Sequence, residues 1–302
     1  MRTRKKSTFA RAREMAPVFA VVGTGVVGVF VAMNLMAISA PVAVARSYPP
    51  TASPAPSFPG SPSVLPIAST TATLVTAPPQ APLPAKPPVL VNSAVSTADR
   101  NGVWVVYLAY PAFLAGTTPW AETMNDDMLT ELQARAAQWE SGPASIPRAD
   151  GLPNKLIGTF ETELLTSALA SFTLTSIDYS FAVTPATSVE TLNYDLSTGQ
   201  RIGFSELFTV PAVALKVIST AALPMLQAEL GADYDASVAV EGTSATPDNY
   251  NHWALRSSGL KITFSENQVI TRPGLLPTVI VPWGVLRPVM IQTGPVARLA
   301  GF

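Results

Sequence analysis

The chain has 302 residues, 48% of them hydrophobic, with 29 prolines, one histidine and no cysteine. The missing thiols exclude a disulfide framework, thiolate zinc sites and cysteine nucleophiles. The formal charge is −1, but six of the 19 basic residues fall within the first 13 positions, and from Arg46 onward 13 basic residues stand against 19 acidic ones, a net of −6 that suits a basic partner and not nucleic acid.

Residues 1–14 form a basic head carrying Arg2, Arg4, Lys5, Lys6, Arg11 and Arg13. Residues 15–45 carry no charge and close on Ala43-Val44-Ala45, the small-x-small pattern that signal peptidases cut after. This order predicts export, with the head cytoplasmic and the remainder outside. Two outcomes fit. The stretch from Ala16 to Ile38 is long enough to remain as a membrane anchor, which needs about 20 residues. Pro41 and the Ala-Val-Ala exit argue for cleavage and a secreted product. Gly23-Thr24-Gly25-Val26-Val27-Gly28 matches a dinucleotide fingerprint, but that motif needs a preceding strand and an acidic residue about 20 positions on. No charge follows here until Arg46, so these are small residues of an apolar segment.

Residues 46–94 read as a linker. Thirteen of the 29 prolines lie between Ser47 and Leu90, with one charge, Lys86. Proline fixes φ and removes donors, so the expected state is a disordered, semi-extended spacer of ~3 Å per residue, spanning on the order of 100 Å.

Residues 95–302 are expected to fold as one α+β domain with an antiparallel sheet packed by two main helices. Gly102–Tyr110 is rich in β-branched and aromatic residues and predicts a strand. Thr118-Pro119 predicts an N-cap and first-turn proline. The helix behind it runs to Glu140, with Met124, Met128, Leu132, Ala136 and Trp139 on one apolar face and Gly142-Pro143 as its stop. Ile157 to Leu196 predicts a three- or four-stranded antiparallel meander, with Ile177, Tyr179, Phe181 and Val183 sharing a face. Ser197–Gln200 is a turn into a short extended piece. Pro211 opens a second helix whose stripe is Val213, Ala214, Val217, Ile218 and Ala221. Pro224 is expected to kink or split it, and Gly231 to end it. Strands near His252–Arg256, Leu260–Phe264 and Thr278–Val281 lead into a helical turn at Trp283–Met290.

Candidate chemistry is sparse. His252 is the sole histidine, so a His-rich metal site is excluded, and Gly203-Phe204-Ser205-Glu206-Leu207 lacks the last glycine of a nucleophile elbow. Glu161 and Glu163 alternate on a strand and face one side, as a hydrolase's acid and base would, although such pairs are commoner on solvated sheet faces. Asp233-Tyr234-Asp235-Ala236-Ser237 faintly matches a calcium loop but has Val238 and Ser244 where glycine and an acid belong. Tyr250, His252 and Trp253 cluster aromatics as binding surfaces do. Alternating core and surface positions of one strand would give the same pattern. No catalytic residue, cofactor or metal is assigned.

Two passages resemble the RsiV-like domain family, long catalogued as a domain of unknown function. Leu192-Asn193-Tyr194-Asp195-Leu196-Ser197-Thr198-Gly199-Gln200-Arg201 through Leu207-Phe208 is similar to its YNFDLKTGKxLxLxDLF signature. Asn251, Gly259–Phe264, Gly274 and Val279–Pro282 look like its closing strands. The resemblance spans Val95 to Met290. That family includes secreted mycobacterial antigens of the MPT type, the extracellular lysozyme-binding part of an anti-sigma factor, and domains attached to peptidoglycan deacetylases. It implies an extracytoplasmic α+β binding domain without a family-wide catalytic motif. An aromatic stretch expected before the last strand is replaced here by Gln268–Gly274, so any specificity tied to those aromatics does not carry over.

The expected function is a non-enzymatic extracytoplasmic binding module, secreted or tethered to the membrane by the N-terminal segment. Its expected partner is a cell-wall component or a basic extracellular protein. A cell-wall-active hydrolase and an anti-sigma-type envelope sensor are the alternatives. A head of about 14 residues is too short for a folded sigma-binding domain.

Overall fold

The computed structural model describes residues 86–180 and 184–302. The expectations for the basic head, the apolar segment and the linker up to residue 85, and for Phe181 and Val183, lie outside the described residues.

The fold is α+β. Among the described residues nine strands form two sheets, one of six strands in the order β1-β2-β3-β4-β5-β6 and one of three in the order β7-β8-β9. β1 (Leu90–Ala98) and β2 (Trp104–Phe113) are an antiparallel pair. β1 starts five residues ahead of the expected boundary at Val95, because a proline-rich composition stops suppressing strand pairing once Pro87 and Pro88 are passed. α1 (Ala121–Ser141) then crosses over, and β3 (Asn154–Leu165) pairs parallel to β2. The sheet is therefore mixed and not antiparallel throughout. A parallel pair needs such a helical crossover, and one isolated βαβ unit leaves no repeating rhythm in the sequence. β4 (Leu169–Asp178), β5 (Ala186–Asp195) and β6 (Gln200–Arg201) continue antiparallel. β4 ends at Asp178, so Tyr179 lies beyond the strand that carries Ile177.

Alternation along β4 and β5 divides their side chains between two cores. Ala170, Phe172, Leu174, Leu192 and Tyr194 pack with Met124, Met128, Leu132, Ala136 and Trp139 of α1. All five expected apolar positions of α1 are buried. Its start differs from expectation. The helix begins at Ala121 with Trp120 at the N-cap and no side-chain cap, since an indole offers no acceptor; its Nε1 donates instead to the Ser197 carbonyl (2.9 Å). Trp120 also lies over Gly199, whose φ of 70° closes the β5–β6 turn; a Cβ there would sit 2.5 Å from the Trp120 Cβ and 2.7 Å from its ring.

The second core lies on the opposite face. β7 (Trp253–Arg256) and β8 (Gly259–Thr263) form a hairpin through Ser257-Ser258, and β9 (Thr278–Pro282) completes the small sheet. Leu255, Leu260, Ile262, Val279 and Val281 pack with α2 (Pro211–Leu230). The buried stripe of α2 is Ala214, Leu215, Ile218, Ala222 and Leu226, rotated from the expected one, and Val213 is exposed. Pro224 does not split the helix. It sits on the exposed side beside the exposed Thr220, whose freed carbonyl water can satisfy. By length and composition this helix passes as a membrane span, but its apolar stripe is spent inside the domain. Short helices α3 (Ala236–Gly242), α4 (Trp283–Leu286) and α5 (Gly294–Leu299) complete the chain. Asp235, part of the calcium-like segment, caps α3 by accepting from the Ser237 and Val238 amides, and Asp233 pairs with Arg272 at 2.8 Å.

Candidate functional site

The two sheets meet through side chains, not through a shared ladder. Asn193 on β5 is buried and donates to the Trp253 carbonyl (2.9 Å), while its Oδ1 accepts from Ser171 Oγ (2.7 Å) and the Leu255 amide (3.2 Å). Thr191 Oγ1 accepts from the Trp253 amide. These contacts hold β7 across the face of β4 and β5.

Beside that seam lies a charged cluster. A register shift in β3 between Thr162 and Leu164 inserts Glu163 as an extra residue, and bulges of this kind re-aim side chains. Glu163 reaches Lys261 Nζ and Arg256, each at 2.5 Å, and accepts from Thr173 Oγ1 at 2.7 Å. Its side chain is 0% exposed, whereas that of Glu161 is 60% exposed. Glu161 joins the same cations at 3.0 Å from Arg256 and 3.4 Å from Lys261. Burial alone would raise the Glu163 carboxyl, but hydrogen bonds from Lys261, Thr173 and Arg256 outweigh it and hold the group below its ordinary range. The expected shared face of Glu161 and Glu163 is present. Its partners, Arg256 and Lys261, were not foreseen, and the only trace of them in the sequence is a lysine between Leu260 and Ile262.

A cleft of about 260 Å³ opens from this cluster between the sheets. β3 contributes Thr159, Phe160 and Glu161, β4 Thr173 and Thr175, β5 Val189, β8 Lys261 and Thr263, and β9 Thr278, with Leu276 at the rim. Five threonines make a hydroxyl-rich wall with both donors and acceptors, and Lys261 and Glu161 add one charge of each sign. Each threonine alone is an ordinary strand residue, so only the pairing of the strands assembles the wall. A second concavity of about 380 Å³ lies at the start of α1, where Glu122 and Asp126 bring two exposed carboxylates together. Among the described residues no group of three or more His, Cys, Asp or Glu is placed to hold a metal ion.

The sequence-derived binding residues are placed differently. Tyr250 is 2% exposed and donates to the Thr243 carbonyl at 2.6 Å, and burial pushes its phenol up to about 12. Trp253 is 6% exposed and packs edge-on against Phe204. Both belong to the core below the small sheet, which takes them off any partner surface. His252 is half-buried, and desolvation, helped by the charge of Arg135, lowers its pKa.

A third polar group joins α1 to β5. Glu190 lies beside Glu131, with Arg135 at 3.5 Å and Arg201 bridging Glu131 and Asp127. Tyr194 donates to Asp127 at 2.7 Å. Burial, followed by the neighbouring Glu131 carboxylate, raises Glu190 to about 7, while its hydrogen bond to Glu190 lowers Glu131. The two acids therefore share one proton at mildly acidic pH. The folded state holds the Glu190 proton more tightly than the unfolded chain, so this contribution to stability is full below pH about 4.5 and is lost as pH rises through about 7. Glu190→Gln should flatten that slope by about 1–2 kcal/mol, reduced for partial exposure. Urea titrations of both proteins at pH 5 and pH 8 measure it, and equal slopes would refute the shared proton.

No family model matches the chain, and no curated protein does. Among solved structures, a DUF3298 family protein from Pseudomonas aeruginosa is 13% identical, with a TM-score of 0.47 over 70% of this chain and 96% of that one. A DUF3298 family member from Bacteroides fragilis is also 13% identical, with a TM-score of 0.44 over 72% of this chain and 98% of that one.

Proposed function

We propose that this chain is a non-enzymatic extracytoplasmic binding module, secreted or tethered by its N-terminal segment, whose inter-sheet cleft takes a hydroxyl-rich cell-wall component. The observation that carries this reading is the threonine wall of the cleft, flanked by Lys261 and Glu161. Sugar hydroxyls both donate and accept, and threonine hydroxyls answer both. The basic head, uncharged stretch and Ala-Val-Ala exit support placement outside the membrane. A relationship to the RsiV-like family belongs to the same proposal.

The hydrolase alternative draws less support from this geometry. A general acid needs a raised pKa, and Glu163 is held low while bound by two cations and a threonine. A second reading, capture of a basic extracellular protein, is favoured by one separate observation: the Glu122 and Asp126 carboxylates in the concavity at the start of α1. The two readings predict different losses. Retention of the full chain on purified wall fragments should fall at least tenfold in Thr175→Phe, which fills the cleft. It should survive Glu122→Lys with Asp126→Lys. The reverse pattern, with binding to lysozyme weakened by salt in the parent and lost in the charge-reversed variant, would replace the wall ligand by a basic protein. Undiminished wall retention in Thr175→Phe would remove the cleft from the proposal.

A further inference from the structure

We propose that the outer edge of β1 is a pairing surface for a second copy of this chain, the two β1 strands running antiparallel about a two-fold axis at Ala94. This goes beyond the ligand reading and does not depend on it. Sheet edges carry unpaired amides and carbonyls, and proteins ordinarily blunt them with charge, proline, shortness or a covering element. Among the described residues, three of the four terminal strands of the two sheets are blunted. β6 is two residues long, and Arg201 is tied to Asp127 and Glu131. The outward amides of β7, from Trp253 and Leu255, donate to Thr191, Ser171 and Asn193. At β9, Thr278 donates to Glu229 of α2 and Pro282 has no donor.

Among the described residues β1 has none of these devices. Its nine residues, Leu-Val-Asn-Ser-Ala-Val-Ser-Thr-Ala, include no charge and no proline. Its register phase is set at both ends, since the Leu114 amide donates to Val89 and the Asp99 amide to Trp104. Odd-numbered residues therefore turn their backbone groups toward β2, and Leu90, Asn92, Ala94, Ser96 and Ala98 turn theirs outward. Among the described residues these outward groups have no hydrogen-bond partner.

The occupant follows from symmetry. A strand that meets its own copy places like residues near like, so any charge would meet itself across the axis; β1 brings none. The five outward residues are spaced evenly about Ala94, so antiparallel pairing sets Ala94 against Ala94, Asn92 against Ser96 and Leu90 against Ala98. Every outward donor then meets an acceptor. Exposed Val89, Val91, Leu114 and Tyr107 on and beside the strand give the junction an apolar margin. A membrane tether ahead of β1 would raise the local concentration of the partner strand.

The absence of native cysteine makes the register directly testable. Narrow antiparallel pairs place Cα atoms about 5.5 Å apart, within disulfide range. Under mild oxidation the exported chain carrying Ala94→Cys should form a linked dimer, while Ala98→Cys, which faces Leu90 of the other copy, should not. Light scattering over a dilution series should show a monomer–dimer transition, shifted at least tenfold to higher concentration by Ala94→Lys. Circular dichroism of each variant checks that the fold is intact. A monomer at every concentration, or cross-linking of Ala94→Cys no faster than of Ala98→Cys, would overturn the pairing. So would slow exchange of the outward amides of Asn92, Ala94 and Ser96 in a monomer, which would assign the edge to another segment of the same chain.

Discussion

Glu163→Ala is expected to destabilise the protein by about 3–5 kcal/mol, among the largest effects of any single polar substitution here. The reason lies in what remains. Glu163 has no exposed side-chain surface, and its loss leaves Lys261, itself 10% exposed, and Arg256 with only the exposed, screened carboxylate of Glu161 as counter-charge. A buried cation stripped of its buried partner costs more than the net worth of the pair it left. Glu161→Gln tests the same cluster from its wet side and should cost at most about 1 kcal/mol, because that carboxylate is 60% exposed and screened. Replacing both partners, Glu163→Gln with Lys261→Met, should recover much of the loss by removing the orphaned charge. The pH dependence has a definite sign. The folded-state pKa of Glu163 lies below its ordinary 4.5, so its stabilisation is present above that value and is lost as pH falls through the lowered one. Equilibrium urea unfolding of the four proteins checks the set. A Glu163→Ala protein within 1 kcal/mol of the parent would mean that water reaches the cluster and that the sheets are not sealed there.

Asn193→Leu should cost about 2–4 kcal/mol and should loosen the small sheet from the large one. Leucine fills a similar volume, so the loss isolates hydrogen bonding from packing. It would strand the Trp253 carbonyl and deprive Ser171 Oγ of its acceptor in a buried setting. The Leu255 amide would keep its bond to Ser171 at 2.9 Å, which caps the penalty. Hydrogen exchange provides the specific readout. The amides of Trp253 and Leu255 should lose protection before those of β3 and β4. Uniform loss across both sheets would show that the two cores unfold as one unit and that Asn193 is no special seam. Because the cleft lies between the same sheets, this variant should also weaken wall retention without altering any threonine of its lining.

How much of this was legible in the chain varies by element. Periodicity located α1 and all five of its buried apolar residues, since an amphipathic helix that packs one face repeats its hydrophobic positions locally. It placed β7, β8 and β9 within a residue or two, because their turns carry glycine, serine and proline. It erred on α2, whose composition is apolar almost all round; with no polar face to mark the outside, only the packed core selects Leu215 and Leu226 over Val213. It read Tyr250 and Trp253 as surface candidates because aromatics are equally at home in cores and interfaces.

Amino-acid order by itself determined the α+β class, the absence of thiol chemistry, the acidic balance beyond Arg46 and the shared face of Glu161 and Glu163. Those properties depend on composition or on residues close along the chain. The tertiary structure alone decided that β2 and β3 run parallel, that Lys261 and Arg256 come from a second sheet to close over Glu163, and that threonines from four strands line one cleft. Each of these joins residues far apart in sequence, and no local pattern records a partner that only the packing of one sheet on another brings within reach.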